Sequence, residues 1–218
     1  MFRLVVHVDV KKELQALPPI VQAKMIRQLD KLRQNPTALR EPDSKPLGQG
    51  LFEIRALGSV QGRGIYVFQQ GKTLFLLRVF VKKTQKTVIG NSPGAEAIRG
   101  DAQWSKKIID WDTLKTELLG QPEVQAAFDA QERQQRLRTM LAQWREQAGL
   151  TRAQVAQRMG VSAPTVSRME ANITRASLDT LTRYALACGI KHPASFTLLT
   201  RSVAIHLPAQ INDRSHGP

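Results

Sequence analysis

Five basic side chains, Arg55, Arg63, Arg78, Lys82 and Lys83, fall within and just after a run of alternating apolar sequence. Arginine stays charged at any ordinary pH, and together these groups suit a phosphate backbone. No metal or other cofactor is expected. The chain has one cysteine, Cys188, and its four histidines, His7, His192, His206 and His216, show no ligand spacing. Tyr66 and Phe80 stand in the same runs, either to stack on bases or as core. The competing reading of the whole set is a solvated basic sheet face.

A second set lies near the C-terminal end: Arg152, Gln154, Ser162, Ala163, Pro164, Thr165, Ser167 and Arg168. A third set lies between them. Trp111, Leu114 and Leu118 form an apolar stripe, with Asp110, Asp112 and Glu117 beside it.

The elements that would carry these residues follow from periodicity. Ile20, Met25, Leu29 and Leu32 fall near helical spacing behind Pro18-Pro19, which predicts a helical hairpin ending before Pro36. Residues 36–50, rich in Pro and Gly, read as loop. LFEIRAL (51–57), RGIYVFQQ (63–70) and TLFLLRVFVKK (73–83) read as strands, with FRLVVHV (2–8) an edge or central strand. The expectation is an antiparallel sheet with an α-hairpin on one face, and a last helix over 95–107. In that sheet Arg55, Arg63, Arg78 and Lys82 converge on one concave surface, with Lys83 and Lys86 at its rim.

From 132 onward four helical segments are separated by Gly149, by Gly160-Val161 and by residues 172–176. Thr151 and Ser162 suit helix caps, and Pro164 suits a first turn. Ala156 permits a close crossing, and Val155, Met159, Val166 and Met169 point inward. Ser177 or Thr174 leads the fourth helix, with Leu178, Leu181, Tyr184 and Ala185 as its stripe. Cys188 reads as a small buried hydrophobe.

Charge sorts the chain along its length. The whole chain carries +14, from 32 Lys/Arg against 18 Asp/Glu. Residues 1–107 hold 19 bases and 8 acids; residues 108–132 hold one base, Lys115, and six acids. Such asymmetry marks separate modules and points to a polyanionic partner. No apolar run reaches the ~18 residues of a membrane span, and the N-terminus lacks the pattern of a signal peptide. A cytoplasmic protein with no membrane partner is expected.

Two stretches carry a family resemblance. GLFEIR and RGIYVFQQGKTLFLLRVFVKKTQKT, after an α-hairpin, resemble the phage-derived branch of the RelE/HigB toxins over residues 1–107. The resemblance implies a RelE-like α+β fold and ribosome-dependent mRNA cleavage without a metal, by attack of a ribose 2′-OH on the adjacent phosphate, with arginine neutralising the phosphorane and a lysine of lowered pKa as base; other relatives share the fold but poison DNA gyrase. By position, Arg55 and Arg63 match basic residues that act in the RNase branch, and Lys82 and Lys83 match a cluster at the end of the last strand. Arg78 stands where close relatives have His, Val79 where they have Gly, and Val88 where they have Pro. Residues 134–192 resemble a Cro/XRE-type helix-turn-helix domain, an all-α unit that binds operator DNA as a homodimer. By position the resemblance puts Ala163, Pro164 and Thr165 at the start of the recognition helix with Ser167 and Arg168 behind. It implies a guanine or phosphate contact for Arg168, and leaves methyl contacts and DNA shape to share the reading of sequence because Ala163 and Pro164 donate poorly. Residues 108–133 resemble the start of HigA-type antitoxins, which implies a neutralising segment; 193–218 read as an extension and tail. The reading is a toxin–antitoxin fusion that autorepresses. Its alternatives are a repressor carrying an inactive toxin fold, and a gyrase-targeting toxin.

Overall fold

A computed structural model describes residues 1–69, 72–82 and 107–190. The expected helix over 95–107, save Lys107 itself, the residues Lys83, Lys86 and Val88, and everything beyond 190 lie outside these residues. The chain divides into two compact units, Met1–Glu132 and Arg133–Pro218.

The first unit is built on a six-stranded sheet. Its strands are β1 (Arg3–His7), β2 (Ser44–Gly48), β3 (Leu51–Ala56), β4 (Gly62–Gln69), β5 (Thr73–Val81) and β6 (Ile108–Asp110), in the spatial order β2-β3-β4-β5-β1-β6. Helices α1 (Val8–Gln15) and α2 (Pro19–Gln34) form the expected hairpin, and α3 (Trp111–Leu119) follows β6. The α+β class holds, but the sheet is mixed. β1 lies between β5 and β6 and runs parallel to β5, with Val5 opposite Phe75. Parallel neighbours need a long crossover, and the helical hairpin together with β2–β4 supplies it.

Two strands escaped the sequence reading. β2 sits inside the stretch read as loop, beside a 3-10 turn at Pro36–Ala38. Its sequence, SKPLG, shows no alternation, and Pro46 is tolerated because the strand is at the sheet edge. β6 has three residues, too few for a periodic signal.

One face of the sheet packs on the helices. Leu4, Val6, Ile54, Tyr66, Leu74 and Leu76 meet Val10, Leu14, Met25, Ile26, Leu29 and Leu32 in one core, which also includes Trp111, Leu114, Leu118 and Val124. Pro19 occupies the first turn of α2, where its missing N–H costs nothing. Ile20 is 62% exposed, contrary to the stripe assigned to it; Val21 takes the inward place at helical spacing from Met25. Gly64 lets the layers close, since a Cβ there would lie 2.7 Å from Ile54 Cγ2. The opposite face carries a smaller cluster of Ile65, Val67 and Leu77, flanked by Leu51, Phe75, Phe80 and Ile108.

Among the described residues, the second unit is helical. Helix α4 (Pro122–Gln147) leads into it, followed by α5 (Arg152–Met159), α6 (Ala163–Ala171) and α7 (Leu178–Ala187). Leu141, Val155, Ala156, Met159, Val166, Ile173, Leu181 and Tyr184 make its core. Ser177 caps α7, but Leu178 is 51% exposed and is not part of the stripe. Cys188 is buried and free, and burial pushes its thiol pKa up.

Candidate functional site

Helix α5 starts with a reciprocal cap. The Thr151 hydroxyl accepts the Gln154 N–H at 3.3 Å, and Gln154 Oε1 accepts the Thr151 N–H at 2.8 Å. Gln154 is exposed, but its carbonyl is spent on this cap. Gly160 ends α5 at φ +67°, the left-handed conformation that glycine adopts without penalty. Ser162 then caps α6 by accepting the Thr165 N–H at 3.4 Å, and Pro164 lies in the first turn. Ala163 packs against the core, while Ser162, Pro164, Thr165, Ser167 and Arg168 are exposed. Arg168 Nε donates to the Pro164 carbonyl at 3.4 Å, so the side chain lies back over the first turn of α6.

A carboxylate absent from the sequence reading holds these helices together. Glu170 accepts from Arg152 Nε at 2.6 Å and from the Tyr184 hydroxyl at 2.8 Å, and lies 3.7 Å from Arg145 Nε. Its side chain is 12% exposed, whereas that of Arg152 is 57% exposed. The hydrogen bond to Glu170 raises the Arg152 pKa; burial first, then Glu170, pushes the Tyr184 hydroxyl up. The spacing of Glu170 from Arg152, 18 residues, carries no periodic signal, so only the fold brings the two together.

The basic cluster of the first unit is also organised by acids. Arg55 and Arg63 face each other across β3 and β4 on the sheet face away from the helices. Between them Glu53 accepts Arg55 Nε at 2.7 Å and lies 3.4 Å from Arg63 Nε; Arg63 Nη2 donates to Gln61 at 2.8 Å. Glu53 is 2% and Arg63 4% exposed. Burial lowers the Arg63 pKa, against the pull of Glu53. Arg78 turns to α1 instead, donating to Glu13 at 2.6 Å, while the other Glu13 oxygen accepts the Val79 N–H. Lys82 follows β5, its backbone N–H bonded to Gln61 O.

Of the residues expected to converge on one surface, Arg55 and Arg63 share the face away from the helices, Lys82 follows β5 beside Gln61, and Arg78 departs from the set. Glu13 on α1 takes the half-exposed Arg78 away through their hydrogen bond. Tyr66 is core: it is 1% exposed, stacks on Phe52 and bonds to Ser44. Phe80 stands opposite Arg63 on the second face.

Two family models match this chain. Residues 12–96 match the family described as phage derived protein Gp49-like, and residues 141–194 match the helix-turn-helix family. The chain carries a Gp49-like domain followed by a helix-turn-helix domain. That order matches a toxin joined to a helix-turn-helix antitoxin. No curated protein matches the chain. Among the described residues, no helix is long and apolar enough to cross a membrane, and no group of three or more His, Cys, Asp or Glu is placed to hold a metal ion.

The acidic segment belongs to the same compact unit as the Gp49-like domain and packs on its helical side. Trp111, Leu114 and Leu118 are fully buried, and Trp111 Nε1 donates to Asp30 of α2 at 2.9 Å. Asp112 receives both terminal nitrogens of Arg33, Nη2 at 2.8 Å. Glu117 accepts from Lys11 at 2.7 Å and from Gln15 at 3.1 Å, and Asp110 pairs with Arg3 at 3.3 Å. Lys115, the one base of the segment, reaches Asp30 at 2.5 Å. The Arg33 guanidinium holds the Asp112 carboxyl below the usual carboxylate range. α3 thus lies on the sheet face opposite Arg55 and Arg63.

Proposed function

We propose that this chain is a toxin–antitoxin-type fusion that binds operator DNA as a homodimer and represses its own transcription. The observation that carries the reading is the exposed Pro164, Thr165 and Arg168 surface of α6, presented behind a capped and glycine-ended α5. A helix so presented enters the major groove with its first turns against base edges. The net charge of +14 supports a polyanionic partner. A mobility shift of the full chain on the DNA upstream of its gene tests this. Preference for that fragment over random duplex, surviving raised salt, is the expected result; equal affinity for both overturns the repressor reading.

For the Gp49-like domain we propose an RNase-type arginine pair that this conformation restrains. Glu53 supports that reading, since it occupies Arg55 and Arg63 with the charge a scissile phosphate would bring. Restraint by the acidic segment is then indirect, because α3 covers helices and not these arginines. Incubation of the full chain and of residues 1–132 with translating ribosomes tests it. No cleavage is expected from the full chain, and cleavage by 1–132 that Arg63→Ala abolishes is expected of an active toxin. An inert, folded 1–132 fragment favours the repressor with an inactive toxin fold.

A further inference from the structure

The second unit has a groove of about 490 Å³ between α4 and α6, and its walls include Arg138, Thr139, Arg152, Ser167 and Glu170. Glu170 is the one acid among these residues, and it already serves Arg152, Arg145 and Tyr184. What remains for a ligand is mostly donors: the guanidinium groups of Arg138 and Arg152 and the hydroxyls of Ser167 and Thr139, the last accepting from the Gln135 amide at 3.5 Å. Arg138 is fixed in place by an Nη2 hydrogen bond to the Ala171 carbonyl at the end of α6. Its Nε is buried and has no acceptor among the described residues.

The position of the groove names the acceptor. With Pro164, Thr165 and Arg168 facing the bases, Ser167 stands on the flank of α6 that turns toward α4. The major groove is about 12 Å wide and a helix with its side chains about 10–12 Å across, so a sugar–phosphate strand runs along each flank. A planar guanidinium offers a phosphate two parallel donors. We propose that the groove between α4 and α6 seats a backbone phosphate of bound DNA, gripped by Arg138. The inference rests on the DNA-binding reading above and extends it to a residue outside the recognition helix.

Salt dependence of binding by the full chain tests it, on the upstream fragment and on random duplex. Each phosphate contact contributes about −0.9 to the slope of log affinity against log salt. Arg138→Ala should reduce the slope by about one contact and weaken both duplexes by the same factor, leaving their ratio unchanged. Thr139→Glu, at an exposed position, should act in the same direction by placing a carboxylate in the groove, and it decides the matter if Arg138→Ala melts early. Parental slopes in both variants, or a changed ratio at a parental slope, overturn the inference while DNA binding stands. A parent chain without DNA affinity removes the reading beneath it. Inorganic phosphate without DNA is the second probe. A phosphate-dependent rise in Tm that Arg138→Ala abolishes, with DNA slopes unaltered, assigns the groove to a free anion and also overturns the proposal.

Discussion

Arg63 is 4% exposed and faces Glu53, whereas Arg168 is exposed on the surface of α6 and held by the Pro164 carbonyl, and the contrast assigns different work to the same side-chain type. Arg168 can trade water for a guanine edge. Arg168→Ala should weaken operator binding by about 1–3 kcal/mol and relax discrimination at one base pair, measured by competition against single-base operator variants. Arg63 contributes first to the charge balance of a buried site. Glu53→Gln leaves two guanidinium groups without their carboxylate, and breaking a buried pair costs about 3–5 kcal/mol. Glu53→Gln with Arg63→Gln should recover part of that loss. Denaturant unfolding of the two single variants and the double variant measures the coupling, and strictly additive losses would rule it out. Neither acid was legible in the sequence. Arg55, Arg63 and Arg78 stand out as bases in apolar strands, but Glu53 reads as an ordinary outward residue of LFEIR, and Glu13 is remote in sequence from Arg78.

At the scale of elements, α3 shows what periodicity can and cannot carry. The stripe of Trp111, Leu114 and Leu118 and the flanking acids are visible in the sequence, and both make contact with the first unit. The capped turn of α5 and α6 was equally legible, because Thr151, Gly160 and Ser162 each have a local reason to be where they are. β2 and β6 were not, since an edge strand with a proline and a strand of three residues have no period to read. The parallel placement of β1 depends on where β5 returns, a nonlocal matter. Burial divides the energetics of α3 unequally. Trp111→Ala should cost about 3–5 kcal/mol, whereas Asp112→Asn at an exposed pair should cost about 0–1 kcal/mol. Denaturant midpoints of the two variants make the comparison. The pair also has a pH signature. A carboxyl held below its ordinary value stabilises the fold above the unfolded pKa of about 3.9 and loses that contribution as pH falls through the folded value. The small share due to Asp112 should therefore be constant from neutral pH down to about 5 and fade below about 4. Asp112→Asn should make the acid limb of a stability–pH curve shallower, as followed by thermal melts.

At the scale of the whole molecule, charge and core give different boundaries. Charge changes sign near residue 107, but the core of the first unit runs on through Trp111, Leu114, Leu118 and Val124, and the compact unit ends at Glu132. The difference decides how the Gp49-like domain can be studied apart from the helix-turn-helix domain. Fully burying one large apolar side chain is worth about 1.5–3 kcal/mol, so these four together are worth about 6–12 kcal/mol. A typical domain is stable by only about 5–15 kcal/mol. Residues 1–107 alone also lose β6, and with it the antiparallel partner of Val5, Val6 and His7. That fragment should be aggregation-prone, with an unpaired edge at β1 and an open patch beside Leu29 and Leu32. Residues 1–132 should instead unfold cooperatively. Absence of toxicity from 1–107 would accordingly say nothing of catalysis, whereas absence of toxicity from folded 1–132 would. Expression of both fragments, with soluble yield and a thermal melt beside the growth curve, is the measurement. A 1–107 fragment that is soluble and melts cooperatively would show that α3 docks on a finished domain, and only then would Trp111→Ala be expected to undock α3 with the domain still folded.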